Sequence, residues 1–108
     1  MLELTKDNFD SEVLAAEGLV VVDFWSEKCE PCMALMPDMT ALAEEFKDKA
    51  KFTKLNTAGN KRLAIAQKVM GVPTVLFYKN GEKVRVINQE EIEEGGIAII
   101  KTALLELL

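Results

Sequence analysis

The 108-residue chain contains no histidine and only two cysteines. A closed structural zinc site takes four ligands, drawn mostly from those two residue types. Zinc would therefore have to be shared between two subunits or completed by carboxylates. Basic residues are also in deficit, with 13 Lys and Arg against 18 Asp and Glu and a net charge of -5. Nucleic acids and anionic membrane surfaces both require a basic face, and no Lys/Arg cluster supplies one locally, so neither is an expected partner. No apolar run approaches the about 20 residues that span a bilayer. The opening residues lack the basic region and apolar core of a secretory signal, and the expected location is the cytoplasm. Internal repeats, linkers and low-complexity segments are likewise missing. What remains, at 49% hydrophobic content, is one expected domain over 1–108 with enough apolar residues for a core.

The two cysteines stand together as Cys29-Glu30-Pro31-Cys32. An apolar, valine-rich run over 19–25 precedes them, the pattern of a strand covered on both faces. An amphipathic stretch over 33–48 follows, so the pair lies where a buried strand passes into a helix. That place has chemical consequences. The reactive species of a thiol is the thiolate, and the first turn of a helix favours it through unpaired N–H groups and the positive end of the helix dipole. Cys32 lies one turn on from Cys29, on the same face. Pro31 stiffens the turn and gives up only an N–H that would have no helical partner. A disulfide between residues this close in sequence closes too small a loop to stabilise a fold much, which points to redox use.

Asp23 interrupts the apolar run. A buried carboxylate is costly unless paired or protonated, so this aspartate either caps or reaches solvent at the strand end, or lies beneath the dithiol with a raised pKa and exchanges a proton with it. Elsewhere, residues 2–4 read as an edge strand, and 5–16 as a helix capped by Thr5 with Leu4 stapled against Phe9. The stretch 33–48 reads as a helix whose methionines fill the core and which Pro37 kinks, setting an active-site turn apart from a packing segment. Residues 51–56 read as a strand, with Lys54 at the surface or paired with Asp23. Asn60 caps a helix over 63–69 that Gly71 ends. Pro73 cannot donate a ladder bond and belongs at a strand's first position or in a special turn, where a cis bond is possible. Strands over 75–78 and 82–87 are joined by an Asn80-Gly81 hairpin turn. A final helix runs from residue 89 and is weakened at Gly95-Gly96.

Val22-Asp23-Phe24-Trp25, the Cys-x-Pro-Cys motif, Pro37 five residues beyond it, Lys54-Leu55-Asn56, Gly71-Val72-Pro73-Thr74 and the Lys79-Asn80-Gly81 turn together resemble the thioredoxin family along essentially the whole chain. The resemblance implies an α/β thioredoxin fold, a central mixed β-sheet flanked by helices. It also implies a disulfide reductase with no bound cofactor, in which Cys29 attacks and Cys32 resolves the mixed disulfide. Asp23 would be the proton-exchanging carboxylate with Lys54 near it. Trp25, Glu30, Pro31, Val72 and Pro73 would contact substrate, with Pro73 cis and Val72 offering backbone hydrogen bonds. The implied partners are disulfide-containing target proteins and a flavoprotein reductase, met by a monomer. A docking module with inert or metal-sharing cysteines is the alternative from another class. A glutaredoxin is a second enzyme reading, set against the Glu30-Pro31 interior of the motif where glutaredoxins usually carry an aromatic. Lys28, Glu30 and Met33 stand where thioredoxins usually have tryptophan, glycine and lysine. Glu30 disfavours a neighbouring thiolate and Lys28 favours it.

Overall fold

Valine and isoleucine restrict backbone freedom in a way that suits a pleated surface. In the computed structural model, which describes residues 1–108, such residues are concentrated in the second and fifth strands of a mixed sheet: β1 (Leu2–Leu4), β2 (Leu19–Trp25), β3 (Lys51–Asn56), β4 (Thr74–Lys79) and β5 (Glu82–Ile87). The strand order is β1-β3-β2-β4-β5, with β2 central and buried along its whole length. β1 and β3 run parallel to β2, whereas β4 and β5 form the antiparallel side. Three helices accompany the sheet: α1 (Glu30–Glu45), α2 (Lys61–Ala66) and α3 (Gln89–Leu107). This is the mixed α/β architecture that the resemblance implies.

Alternation along β2 assigns its side chains to two cores. Leu19 and Val21 pack with Leu35, Met39 and Leu42 of α1 and with Ile100 and Leu104 of α3. Val20, Val22 and Phe24 pack with Phe9, Val13 and Ala64 on the opposite face. Asp23 and Trp25 therefore share the face that α1 covers, and this places them relative to the cysteines.

The β4–β5 turn uses Asn80 and Gly81, both at positive φ (51° and 84°), the mirror-image turn whose twist matches the strands. A Cβ at Gly81 would lie 2.3 Å from the backbone oxygen of Leu14, so the turn is also pressed against the amino-terminal segment. Gly81→Ala is expected to cost at least about 2 kcal/mol, from left-handed strain plus this clash, and to lower the denaturant midpoint without changing the slope.

Several local expectations need correction. Residues 5–16 do not form a regular helix: a turn leads into a π-helical stretch, Asp10–Leu14. Thr5 caps its start as expected: Asp7 N–H donates to Thr5 Oγ1 at 3.2 Å and, reciprocally, Thr5 N–H donates to Asn8 Oδ1 at 2.8 Å, which satisfies first-turn donors that have no helical partner. Leu4, Phe9 and Val13 are nevertheless buried together. Helix α1 begins at Glu30 and continues through Pro37 to Glu45, so no separate active-site turn precedes it. The proline removes one N–H, and the buried Leu35, Met39 and Leu42 hold the helix to the sheet. Of its methionines Met39 is fully buried and Met36 partly so, but Met33 is 45% exposed and is not core. Helix α2 ends at Ala66; Lys68, not Gly71, takes the left-handed conformation (φ 65°), which turns Val69 into the core. Asn60 does not cap it with its side chain, which donates to the Asn56 carbonyl at 2.9 Å. In α3 Gly96 (φ 56°, ψ -146°) joins two helical segments, the first capped reciprocally by Asn88 and Glu91.

Candidate active site

Cys29 is the N-cap of α1: its backbone is extended (φ -96°, ψ 102°) and its Sγ accepts a hydrogen bond from the Cys32 N–H at 3.2 Å. Glu30 and Pro31 open the helix behind it. The two cysteines form a disulfide with 5.2 Å between their Cα atoms. Their surroundings differ sharply, because Cys29 is partly exposed while Cys32 is 1% exposed. Amide donors that help to satisfy a sulfur at an N-cap also stabilise a thiolate there.

Asp23 lies on the face of β2 that carries α1, and both of its carboxyl oxygens are buried without a hydrogen-bond partner. Burial pushes its pKa up to about 7, with the charge of Lys54 acting in the opposite direction and losing. Lys54 is Asp23's direct register partner on β3. No ion pair joins them: the Lys54 Nζ lies 3.9 Å from Glu3 Oε1 and 5.4 Å from the centre of the Trp25 ring. Lys54 is thus a nearby charge and an aromatic contact, while Asp23 is left unpaired. Trp25 ends β2 at 8% exposure, its indole N–H without an acceptor.

Pro73 is buried at the head of β4 and follows a cis peptide bond from Val72. Val72 borders two open grooves. One, of about 740 Å³, runs between Ser26, Glu27 and Lys28 and the exposed Ile65 and Met70. The other, of about 540 Å³, runs from Pro31 past Pro73 to Gln89 and Ile97. Both grooves thus touch the segment that carries the cysteines. Lys28, Pro31, Val72 and Pro73 are brought together around them; Glu30 is exposed on the helix end and lines neither groove.

Two features escaped sequence reasoning. Ile65 (57% exposed) and Met70 (85% exposed) rim the larger groove. The signal available was a short helix carrying apolar residues at Leu63, Ala64, Ile65 and Ala66, more than one buried stripe can use. The second is Gln89, whose amide nitrogen donates to the Val72 carbonyl. No local pattern announces that contact, because 17 residues separate the pair.

The family model described as Thioredoxin matches residues 1–102. The chain is 46% identical over 102 residues to a protein named thioredoxin from Acetoanaerobium sticklandii, covering 94% of this chain and 97% of that one. It is 47% identical over 91 residues to a thioredoxin of Peptoclostridium acidaminophilum (84% and 83% covered). A third relative, a thioredoxin of Buchnera aphidicola, is 36% identical over 98 residues (87% and 91% covered). No helix is long and apolar enough to cross a membrane. A helix-capping sulfur bonded to a buried one is thus found within a sequence matched almost end to end, and the chain belongs to the thioredoxin family and is a thiol-disulfide oxidoreductase of proteins.

Proposed function

We propose that Cys29 is the attacking sulfur and Cys32 the resolving one in the reduction of protein disulfides. The observation that carries this reading is the difference in access, with Cys29 open to solvent at a helix N-cap and Cys32 closed off beneath it. The Cys29 thiolate attacks one sulfur of the target disulfide, a mixed disulfide forms, and the other target sulfur leaves as a thiolate. Cys32 then loses its proton and attacks Cys29 Sγ. The Cys29–Cys32 disulfide forms, the second target sulfur is released, and two electrons have passed to the target. Asp23 is the acceptor for the Cys32 proton: it is buried on the α1 side of the sheet, has no partner, and has a pKa raised to about 7, suited to proton exchange near neutral pH.

Trp25, Pro31, Val72 and Pro73 form the surface on which substrate rests, and the Val72 backbone pairs with an extended target chain. Lys54 tunes Asp23 through its charge alone. Family membership implies disulfide-containing substrates and a reductase; a flavoprotein is the proposed electron donor, and a cytoplasmic monomer the proposed working form. The test is insulin reduction driven by dithiothreitol. The protein should accelerate it strongly, whereas a docking module with inert or metal-bound cysteines would leave the rate at background.

Glu30 adjusts the potential. Its negative charge adjoins the Cys29 thiolate and destabilises the reduced state, which favours the disulfide and makes the protein a stronger reductant. Glu30→Gly should therefore raise the reduction potential, by on the order of 10 to 20 mV for a solvated neighbouring charge. Equilibration with glutathione measures the shift, and an unchanged or lower potential would count against the role.

A further inference from the structure

Gln89 is the first residue of α3, and its side chain folds back over the loop that precedes Pro73. Its Nε2 donates to the Val72 carbonyl oxygen. A Cβ on Gly71 would meet that nitrogen at 2.8 Å and the amide carbon at 3.0 Å, so the glutamine lies across the very space that Gly71 leaves empty. The Val72 N–H, by contrast, has no partner within the chain, and its carbonyl has no backbone partner. The strip between the two grooves thus presents one open donor and one acceptor already taken by a side-chain amide. A primary amide N–H is chemically equivalent to a peptide N–H as a donor.

We propose that Gln89 is a specificity-determining residue that stands in for a substrate peptide N–H on Val72 and must swing away before an extended target chain can pair there. The inference rests on the reading of Val72 as the substrate-docking edge. Gln89 is exposed and borders an open groove, so its departure requires no repacking. Its effect is selective. A target that docks through its main chain has to displace the amide, and the protein's hydrogen-bond count gains nothing from the exchange. A small disulfide with no peptide groups reaches Cys29 without touching the contact.

Two variants isolate the donor. Gln89→Ala removes the side chain, and Gln89→Glu keeps its length but presents a carboxylate that cannot donate, at a helix N-terminus that favours negative charge. Each is assayed with a neutral peptide containing one disulfide and with bis(hydroxyethyl) disulfide. Freeing the Val72 carbonyl should raise kcat/KM for the peptide about two- to tenfold, the range spanned by one net hydrogen bond, chiefly through a lower KM. The rate with the small disulfide should not change. An unchanged or lower peptide rate would overturn the proposal, as would an equal rise with both substrates, which would place the effect on thiol reactivity. A parent protein that reduces neither substrate would instead remove the reductase reading itself, a distinct result.

Discussion

Cys32→Ser is expected to trap the protein on its target as a stable mixed disulfide, while Cys29→Ser abolishes reduction down to the dithiothreitol background and captures nothing. The two substitutions change one sulfur to oxygen within a single helical turn, yet their outcomes separate because the sulfurs occupy different environments. Cys29 caps α1 and meets solvent; Cys32 is 1% exposed. Serine at position 29 leaves no accessible thiolate, and the buried Cys32 cannot approach a protein disulfide in its place. Serine at position 32 leaves attack intact and removes the group that would release the captured sulfur. Non-reducing electrophoresis and peptide mass analysis report the captured species. A mixed disulfide accumulating with Cys29→Ser, and none with Cys32→Ser, would reverse the assigned order.

Asp23→Asn should stabilise the oxidised protein by up to about 4 kcal/mol at pH 8, since a shift from 3.8 to about 7 is roughly three pKa units at 1.36 kcal/mol each. The sign follows from proton binding. The folded carboxyl holds its proton more tightly than the unfolded one, so between about pH 4 and 7 the unfolded state releases a proton that the folded state keeps, and stability falls as pH rises. Above about pH 7 both forms are ionised and the penalty is constant; below about pH 4 both are protonated and it vanishes. Urea unfolding of the parent and variant across this range should show two curves that meet at acid pH and diverge towards neutrality. A constant gap would mean that the carboxyl does not titrate as its burial requires. The same substitution should slow release of the mixed disulfide, by up to about a hundredfold, the lower part of the range for positioned proton acceptors. Single-turnover rates should also lose their inflection near pH 7. Stability and rate would then move in opposite directions, as expected where an unpaired buried carboxyl is retained for chemistry.

The legible parts of this protein were those in which local chemistry and tertiary context agree. β2 could be read because seven consecutive residues, valine-rich and bounded by Gly18, have few alternatives to a doubly covered strand. The Asn80-Gly81 turn was legible because few other dipeptides accept positive φ twice. The cysteine pair was readable from its place between strand and helix. Illegible were features decided by long-range contacts or by helical geometry. The amino-terminal helix widens over Asp10–Leu14, where Ala15 N–H donates to the Asp10 carbonyl five residues back, and no residue type there announces that choice. Met33 sits one position beyond Cys32, apolar by type but turned outward by helical phase once the start of α1 is known. Lys54 shares register with Asp23 as an ion-pair partner would, yet its long stem carries the charge to Glu3 and Trp25 instead. Gln89 reaches Val72 across the whole β4–β5 hairpin, a closure that no local pattern encodes.

The most direct test of the central claim is to alkylate the fully reduced protein with limiting iodoacetamide at neutral pH and locate the label by mass spectrometry. The access difference between the sulfurs predicts modification at Cys29 with Cys32 left free. Label confined to Cys32, or shared equally between the two, would contradict the assignment of Cys29 as the reachable nucleophile.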